Sequence, residues 1–372
     1  MLEAPSSVLD FFLELCRIPS PPGEERAVAA RVVRELRALG LEVEEDDAGA
    51  TIGSTIGNLV CRLPGRGEGT PIFFCAHLDT VPPQGSLEPV VEEDVVRNAG
   101  GTILGADNKS AVVAMIEAAR RIVTEGRPHA GVELLFTPKE EVGLLGAVAF
   151  DHTKLEAELG FVYDQAAPVG DVIMGAPYQR SMQVRFHGKP AHSGMVPEEG
   201  RSAIAAASKA IADLRLGRID EETTANVGLI SGGSARNIVP EWCELEAEAR
   251  SHDSRKLAEL VQEMLDTFAF AASVTECTLE TEVSETYQGY RFRESDRIVQ
   301  LARTALERCG HEFVPTLTGG GADANVFNAK GIPCLNLANG MLDIHTADEH
   351  IAVADLGAMV QVTLALVDAA RA

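Results

Sequence analysis

The residues in this sequence that could do chemistry are scattered along the chain. Histidine and aspartate stand two apart in Cys75-Ala76-His77-Leu78-Asp79-Thr80-Val81. On an extended segment side chains alternate faces, so His77 and Asp79 can point the same way. An imidazole beside a carboxylate suits a metal ligand whose ring is oriented by an acceptor; two ordinary strand-end residues are the alternative. Asp107, in Gly105-Ala106-Asp107-Asn108-Lys109-Ser110, is either a ligand or the cap of the helix that follows. Glu140 and Glu141 are adjacent carboxylates, which repel each other unless a cation lies near them or water screens them. Asp164 ends an apolar run, and His345 stands in Asp343-Ile344-His345-Thr346. A turn aspartate and a surface-loop histidine are their plainer readings. Together, these positions fit a metal site assembled from distant loops and not a local HExxH helix.

The elements that must position these residues alternate between strand and helix. Ser7 can cap a first amphipathic helix over Val8–Cys16, and a second spans 24–39 with Gly40 as its stop. Strands are predicted at 58–62, 71–76, 132–136 and 160–163, with a helix at 109–123. That alternation predicts a doubly wound α/β sheet, mixed in direction, whose chemistry gathers at strand ends. From about residue 176 the pattern becomes strand 180–187, helix 200–215, strands 225–231 and 243–251, helix 253–270 and strand 275–284. This is a ferredoxin-like β-α-β-β-α-β order. Helix 293–309, strand 332–336 and helix 354–371 then resume the first pattern. The expected organisation is a discontinuous domain of 1–175 and 287–372 with 176–286 inserted.

Composition narrows the function. The 372 residues are 45% hydrophobic and 24% charged, ample for a packed core without disulfides. A net charge of −24 with no basic cluster argues against nucleic acid and acidic membrane surfaces as partners. The seven cysteines form no CxxC pair, and the apolar stretch at the start is broken by Asp10 and Glu14 with no basic segment before it. A cytoplasmic, reducing location is expected. The glycine-rich stretches give neither a dinucleotide fingerprint nor a P-loop.

His-Leu-Asp-Thr, Ala-Asp-Asn-Lys, Glu-Glu, the strand-end Asp and the late His, in this order, resemble the M20 family of di-zinc metallopeptidases. Ala-Asp-Asn-Lys and Asn-Gly-Met-Leu-Asp-Ile-His are most similar to its peptidase T, or aminotripeptidase, branch. The resemblance covers nearly the whole chain. It implies that His77, Asp107 and Asp164 hold one zinc and that Asp107, Glu141 and His345 hold the other, with cobalt or manganese as substitutes. It also implies that Asp79 orients His77 and that Glu140 is the general base on a metal-activated water. The inserted domain would be a lid, also able to mediate a homodimer, with His192 of Lys189-Pro190-Ala191-His192-Ser193-Gly194 stabilising the oxyanion in cis or across the dimer. Arg236 and Asn237 of Gly232-Gly233-Ser234-Ala235-Arg236-Asn237 would contact the substrate. A satisfied loop histidine and a glycine-rich turn with a solvated arginine are the alternatives there.

The expected activity is therefore exopeptidase cleavage of short peptides, by an aminotripeptidase. One departure bears on that specificity: the branch commonly carries an arginine where this chain has Gly319. N-acyl-amino-acid deacylation or metallocarboxypeptidase activity is the alternative within the family. A non-catalytic scaffold would be expected to lack ligands or base, and every matching position is present here.

Overall fold

The computed structural model describes residues 7–371. The chain divides into two compact units. One runs to Met174 and is completed by Arg291–Leu317 and the residues from Ala322 onward; the other comprises Gly175–Tyr290 with Thr318–Gly321.

The main sheet of the first unit is mixed. Seven of its nine strands lie in the order Val43–Glu45, Leu59–Leu63, Val132–Thr137, Ile72–His77, Leu159–Val162, Cys334–Leu337, Asp171–Ala176. The four from Val132–Thr137 to Cys334–Leu337 are parallel, and the flanking ones antiparallel. Parallel strands covered on both faces read as unbroken apolar runs, and Ile72–His77 is buried at every position. Successive side chains serve opposite faces. Phe74 joins a core with Met115 and Val360, from the helices Ala106–Glu125 and Val353–Ala369, while Phe73 packs on Phe327 of the helix Asp323–Ala329, ring centres 4.9 Å apart.

This parallel pairing explains why distant sequence segments meet. His77 is opposite Thr137 in register, and Cys75 is opposite Val162. The chain therefore leaves three neighbouring strands at the same edge, carrying His77 and Asp79, Glu140 and Glu141, and Asp164.

Several elements differ from expectation. The helix at 109–123 extends to Ala106–Glu125, but Asp107 and Asn108 have non-helical backbone, so its regular part begins after the residue that carries chemistry. A small antiparallel sheet of Pro89–Glu92, Val95–Asn98, His350–Ala352 and Met341–Leu342 escapes sequence reading, because its strands are two to four residues long and the first two flank the charged turn Glu93-Asp94. Two of its strands fix both ends of the loop bearing His345. The strand Asp171–Ala176 and the helix Asp323–Ala329 are further additions.

The second unit has an antiparallel sheet in the order Gly217–Asp220, Thr223–Gly232, Trp242–Ser251, Tyr178–His187, Thr278–Tyr287. Setting aside the short Gly217–Asp220 strand, its spatial order is second, third, first, fourth, with the helices Ala203–Asp213 and Ser254–Val274 in the β-α-β-β-α-β sequence. Met182, Val184 and Phe186 pack on Leu260, Met264 and Phe268 to form a separate core. The first helix is shorter than 200–215: Gly217 turns the chain with a φ of +81° into the extra strand.

Candidate metal centre

His77 is the last residue of its strand and buried. Its Nδ1 lies 2.9 Å from the backbone carbonyl of Asp79. A carbonyl only accepts, so Nδ1 carries a proton and Nε2 is the nitrogen left to hold a cation. Nε2 lies 3.1 Å from Oδ1 of Asp107 and 3.9 Å from Oδ1 of Asp164. The other oxygen of Asp107 faces a second imidazole: Oδ2 is 3.2 Å from Nε2 of His345. That same Nε2 is 3.1 Å from Glu141. One buried carboxylate thus addresses two histidines with its two oxygens.

Asp107, Glu140, Glu141 and Asp164 are more buried than their plainer readings require, whereas His345 does stand on an exposed loop. Asp107 makes no cap bond to its helix. Glu140 is only 9% exposed, and the side chains of Glu141 and Asp164 are 7% and 10% exposed, so water does not screen them. His345 is half-exposed and has a positive φ of +64°, as does Asp343 at +52°. Asp79 acts on two neighbours at once. Its carbonyl holds the His77 ring, its carboxylate lies 3.5 Å from that ring, and its two oxygens accept the backbone N–H groups of Glu140 at 3.0 Å and Glu141 at 3.1 Å.

Two groupings place potential ligand atoms within 4.8 Å of one another: His77, Asp107 and Glu141, and His77, Glu140 and Asp164. The electrostatics match a site built for cations. Burial pushes the Glu140 carboxyl well above the usual range, reinforced by Asp164, Asp323 and Glu141. Burial and then Asp107 raise Asp164 to about 7. His345 is raised to about 10 by its bonds to Asp107 and Glu141. His77 is also raised well above the ordinary value, its burial being outweighed by Asp107, Asp164 and Asp79. Carboxylates crowded in a buried cleft require positive charge, which protons supply when no cation does. The donor set of imidazole Nε2 atoms and carboxylate oxygens therefore fits two hard-to-borderline divalent ions.

Other residues hold this cluster in place, and sequence reading missed them. Glu349, 1% exposed, accepts N–H bonds from Leu104 at 2.7 Å, Gly105 at 2.8 Å and Asp107 at 2.9 Å. Asn336 accepts from the N–H of Asp164 at 2.9 Å and donates to its carbonyl at 2.7 Å. A polar residue inside the apolar run Cys334–Leu337 was the available signal for Asn336. Glu349, beside His350 in a loop read for its histidines, had none.

His192, Arg236 and Asn237 belong to the second unit, all exposed. They lie on neighbouring segments: the N–H of Ser193 donates to the carbonyl of Asn237 at 3.0 Å, and Nδ1 of His192 accepts from Gly194 at 3.2 Å. Gly319 is in the same unit, where its carbonyl accepts from Nη1 of Arg250 at 3.1 Å and Thr318 is bonded by His252 at 2.9 Å.

The family model described as peptidase family M20/M25/M40 matches residues 73–369. The chain belongs to this family and is a peptide hydrolase of the peptidase T-like kind. It is 36% identical to aminopeptidase PepT from Bacillus cereus, covering 99% of each chain with a TM-score of 0.88. A tripeptidase from Staphylococcus aureus is 35% identical over 100% of both chains, with a TM-score of 0.92. Among curated sequences, the uncharacterized protein YqjE of Bacillus subtilis (strain 168) is 39% identical, covering 98% of each.

Proposed function

We propose that this chain is an aminotripeptidase-like exopeptidase of short peptides that works with two divalent cations, zinc foremost. The observation that carries this reading is Asp107, whose two carboxylate oxygens face two different histidines at 3.1 and 3.2 Å, as a bridging ligand would. His77 and Asp164 would complete one position, and Glu141 and His345 the other. When bound, such cations acidify water and polarise an amide carbonyl.

Glu140 is the proton carrier. Its buried carboxyl, grouped with His77 and Asp164, is placed to take a proton from the attacking water and return it to the leaving amine. Asp79 fixes Glu140 relative to Glu141 by binding both amides, which keeps the base and the ligand in distinct roles.

Residues 1–175 and 287–372 would form the catalytic domain and 176–286 the lid. The family resemblance supports His192 as the donor to the developing oxyanion, Arg236 and Asn237 as substrate contacts, and the lid as a homodimer contact. Seven free thiols support a reducing, cytoplasmic setting, and no helix among the described residues is long and apolar enough to cross a membrane.

A substrate panel tests the reading. With metal supplied, tripeptides should be cleaved from the amino end and N-acetylated tripeptides should not. Gly319, which offers no side chain where the aminotripeptidase branch carries arginine, favours one other reading, that of N-acyl-amino-acid deacylase or metallocarboxypeptidase. Undiminished cleavage of blocked peptides or N-acyl amino acids would select it.

A further inference from the structure

One N-terminal segment, residues 18–25, reaches three of the four segments that carry the proposed ligands and base at this edge: two of the three strand-end loops and the start of the adjoining helix. The carbonyl of Ile18 accepts from Nζ of Lys109 at 2.7 Å, two residues beyond Asp107. The carbonyl of Ser20 accepts the N–H of Thr80 at 2.9 Å, one residue beyond Asp79. Glu25 accepts the N–H of Lys139 at 3.2 Å, one residue before Glu140.

The last bond stands out, because Glu25 is a fully buried carboxylate held by N–H and hydroxyl donors. Its Oε1 also accepts from the N–H of Gly23 at 2.7 Å, and its Oε2 from the hydroxyl of Ser54 at 2.8 Å. Burying an ionised carboxylate is costly unless its lone pairs are filled. Here the filling includes the backbone of a strained residue: Lys139 has a φ of +57°, a region that non-glycine residues seldom adopt. The Lys139 ammonium is tied separately, to the carbonyl of Ile52 at 2.8 Å. As a result, three successive amides, of Lys139, Glu140 and Glu141, are each bound by a buried carboxylate: Glu25, then the two oxygens of Asp79. Asp79 sets the glutamates from one side, and Glu25 sets the residue that aims them.

We propose that Glu25 is a positioning residue for the reaction: it locks Lys139 in its left-handed conformation and so fixes the directions of Glu140 and Glu141. It acts through the Lys139 amide and is not one of the proposed ligands. The inference rests on the roles assigned above to those two glutamates.

The test compares Glu25→Gln, Ser54→Ala and Glu140→Gln with the parent, each saturated with zinc, on a tripeptide. Misplacement of a catalytic group by a fraction of an ångström to an ångström typically costs about 10- to 100-fold in rate. Glu25→Gln should lower kcat by that amount with KM changed by less than about threefold, because the group misplaced acts in the transition state and not in ground-state binding. Zinc affinity should also fall, since Glu141 is carried on the same turn. Ser54→Ala, a milder cut at the same carboxylate, should shift kcat in the same direction by less. A purely structural role would lower the melting temperature of Glu25→Gln and leave kcat and zinc affinity of the folded protein unchanged, and that result overturns the proposal. If Glu25→Gln does not fold, Ser54→Ala decides: unchanged kcat and zinc affinity overturn it. Glu140→Gln separates the two levels, because full activity in that variant removes the underlying role of Glu140, whereas its inactivation beside a fully active Glu25→Gln removes only the role of Glu25.

Discussion

Replacing Glu349 by glutamine should damage the metal centre without touching any proposed ligand. The carboxylate uses Oε2 for the amides of Leu104 and Gly105 and Oε1 for that of Asp107. A glutamine has one acceptor oxygen. Turned toward Leu104 and Gly105, it presents its own NH2 to the Asp107 amide, leaving a buried N–H unpaired. That costs about 1–3 kcal/mol, and the two surviving bonds lose their charge assistance. Relief comes by moving Asp107, the residue both histidines face, so affinity for both cations should fall by about 10- to 100-fold, as when outer partners of metal ligands are removed. Urea denaturation of the metal-free protein measures the first effect and competition with a chromophoric chelator the second. Stability within about 0.5 kcal/mol of the parent, the range of an inert surface change, together with unchanged metal affinity, would refute this account of how Asp107 is held.

Glu140→Gln should keep both metals and lose about 10²–10⁴-fold in kcat, the usual contribution of a general base. Glu141→Gln should instead lose metal, with activity partly restored by excess zinc; metal content and turnover measured on both variants decide the assignment, and the reverse pattern exchanges the roles. His192→Ala should lower kcat by about 10²–10³-fold with a smaller change in KM, the effect of removing an oxyanion donor, and steady-state kinetics showing kcat unchanged would return His192 to an ordinary loop residue. In the metal-free protein, His345 titrates near 10, above the ordinary histidine value, so it binds its proton more tightly folded than unfolded. Its contribution to stability is complete below about pH 6.5 and is lost as pH rises through 10; the difference in melting temperature between parent and His345→Ala should therefore narrow from pH 6 to pH 10, and a constant difference counts against the pairing with Asp107 and Glu141.

The chemistry was legible in the sequence where residue type and strand position coincide. His77, Asp164 and the two glutamates end or follow apolar runs, and parallel pairing delivers them to one edge. What holds them there was not legible, because it consists of backbone groups meeting side chains far away in sequence. Asp79 was expected to orient His77 through its carboxylate, yet the closest contact is its carbonyl, and the carboxylate serves amides more than sixty residues away. Glu349 and Glu25 act in the same way, on N–H groups that no side-chain pattern reveals. The small sheet that fixes the His345 loop was hidden by the shortness of its strands, since a period of two cannot be read from two or three residues.

The most direct measurement is a zinc titration of metal-free protein, with bound metal and tripeptide turnover followed together, for the parent and Asp107→Asn. The parent should bind about two ions per chain, with activity appearing as they bind. Asp107→Asn should weaken both binding events together, because one carboxylate serves both. Full turnover without metal, or loss of only one binding event in Asp107→Asn, would contradict a two-cation centre bridged by that residue.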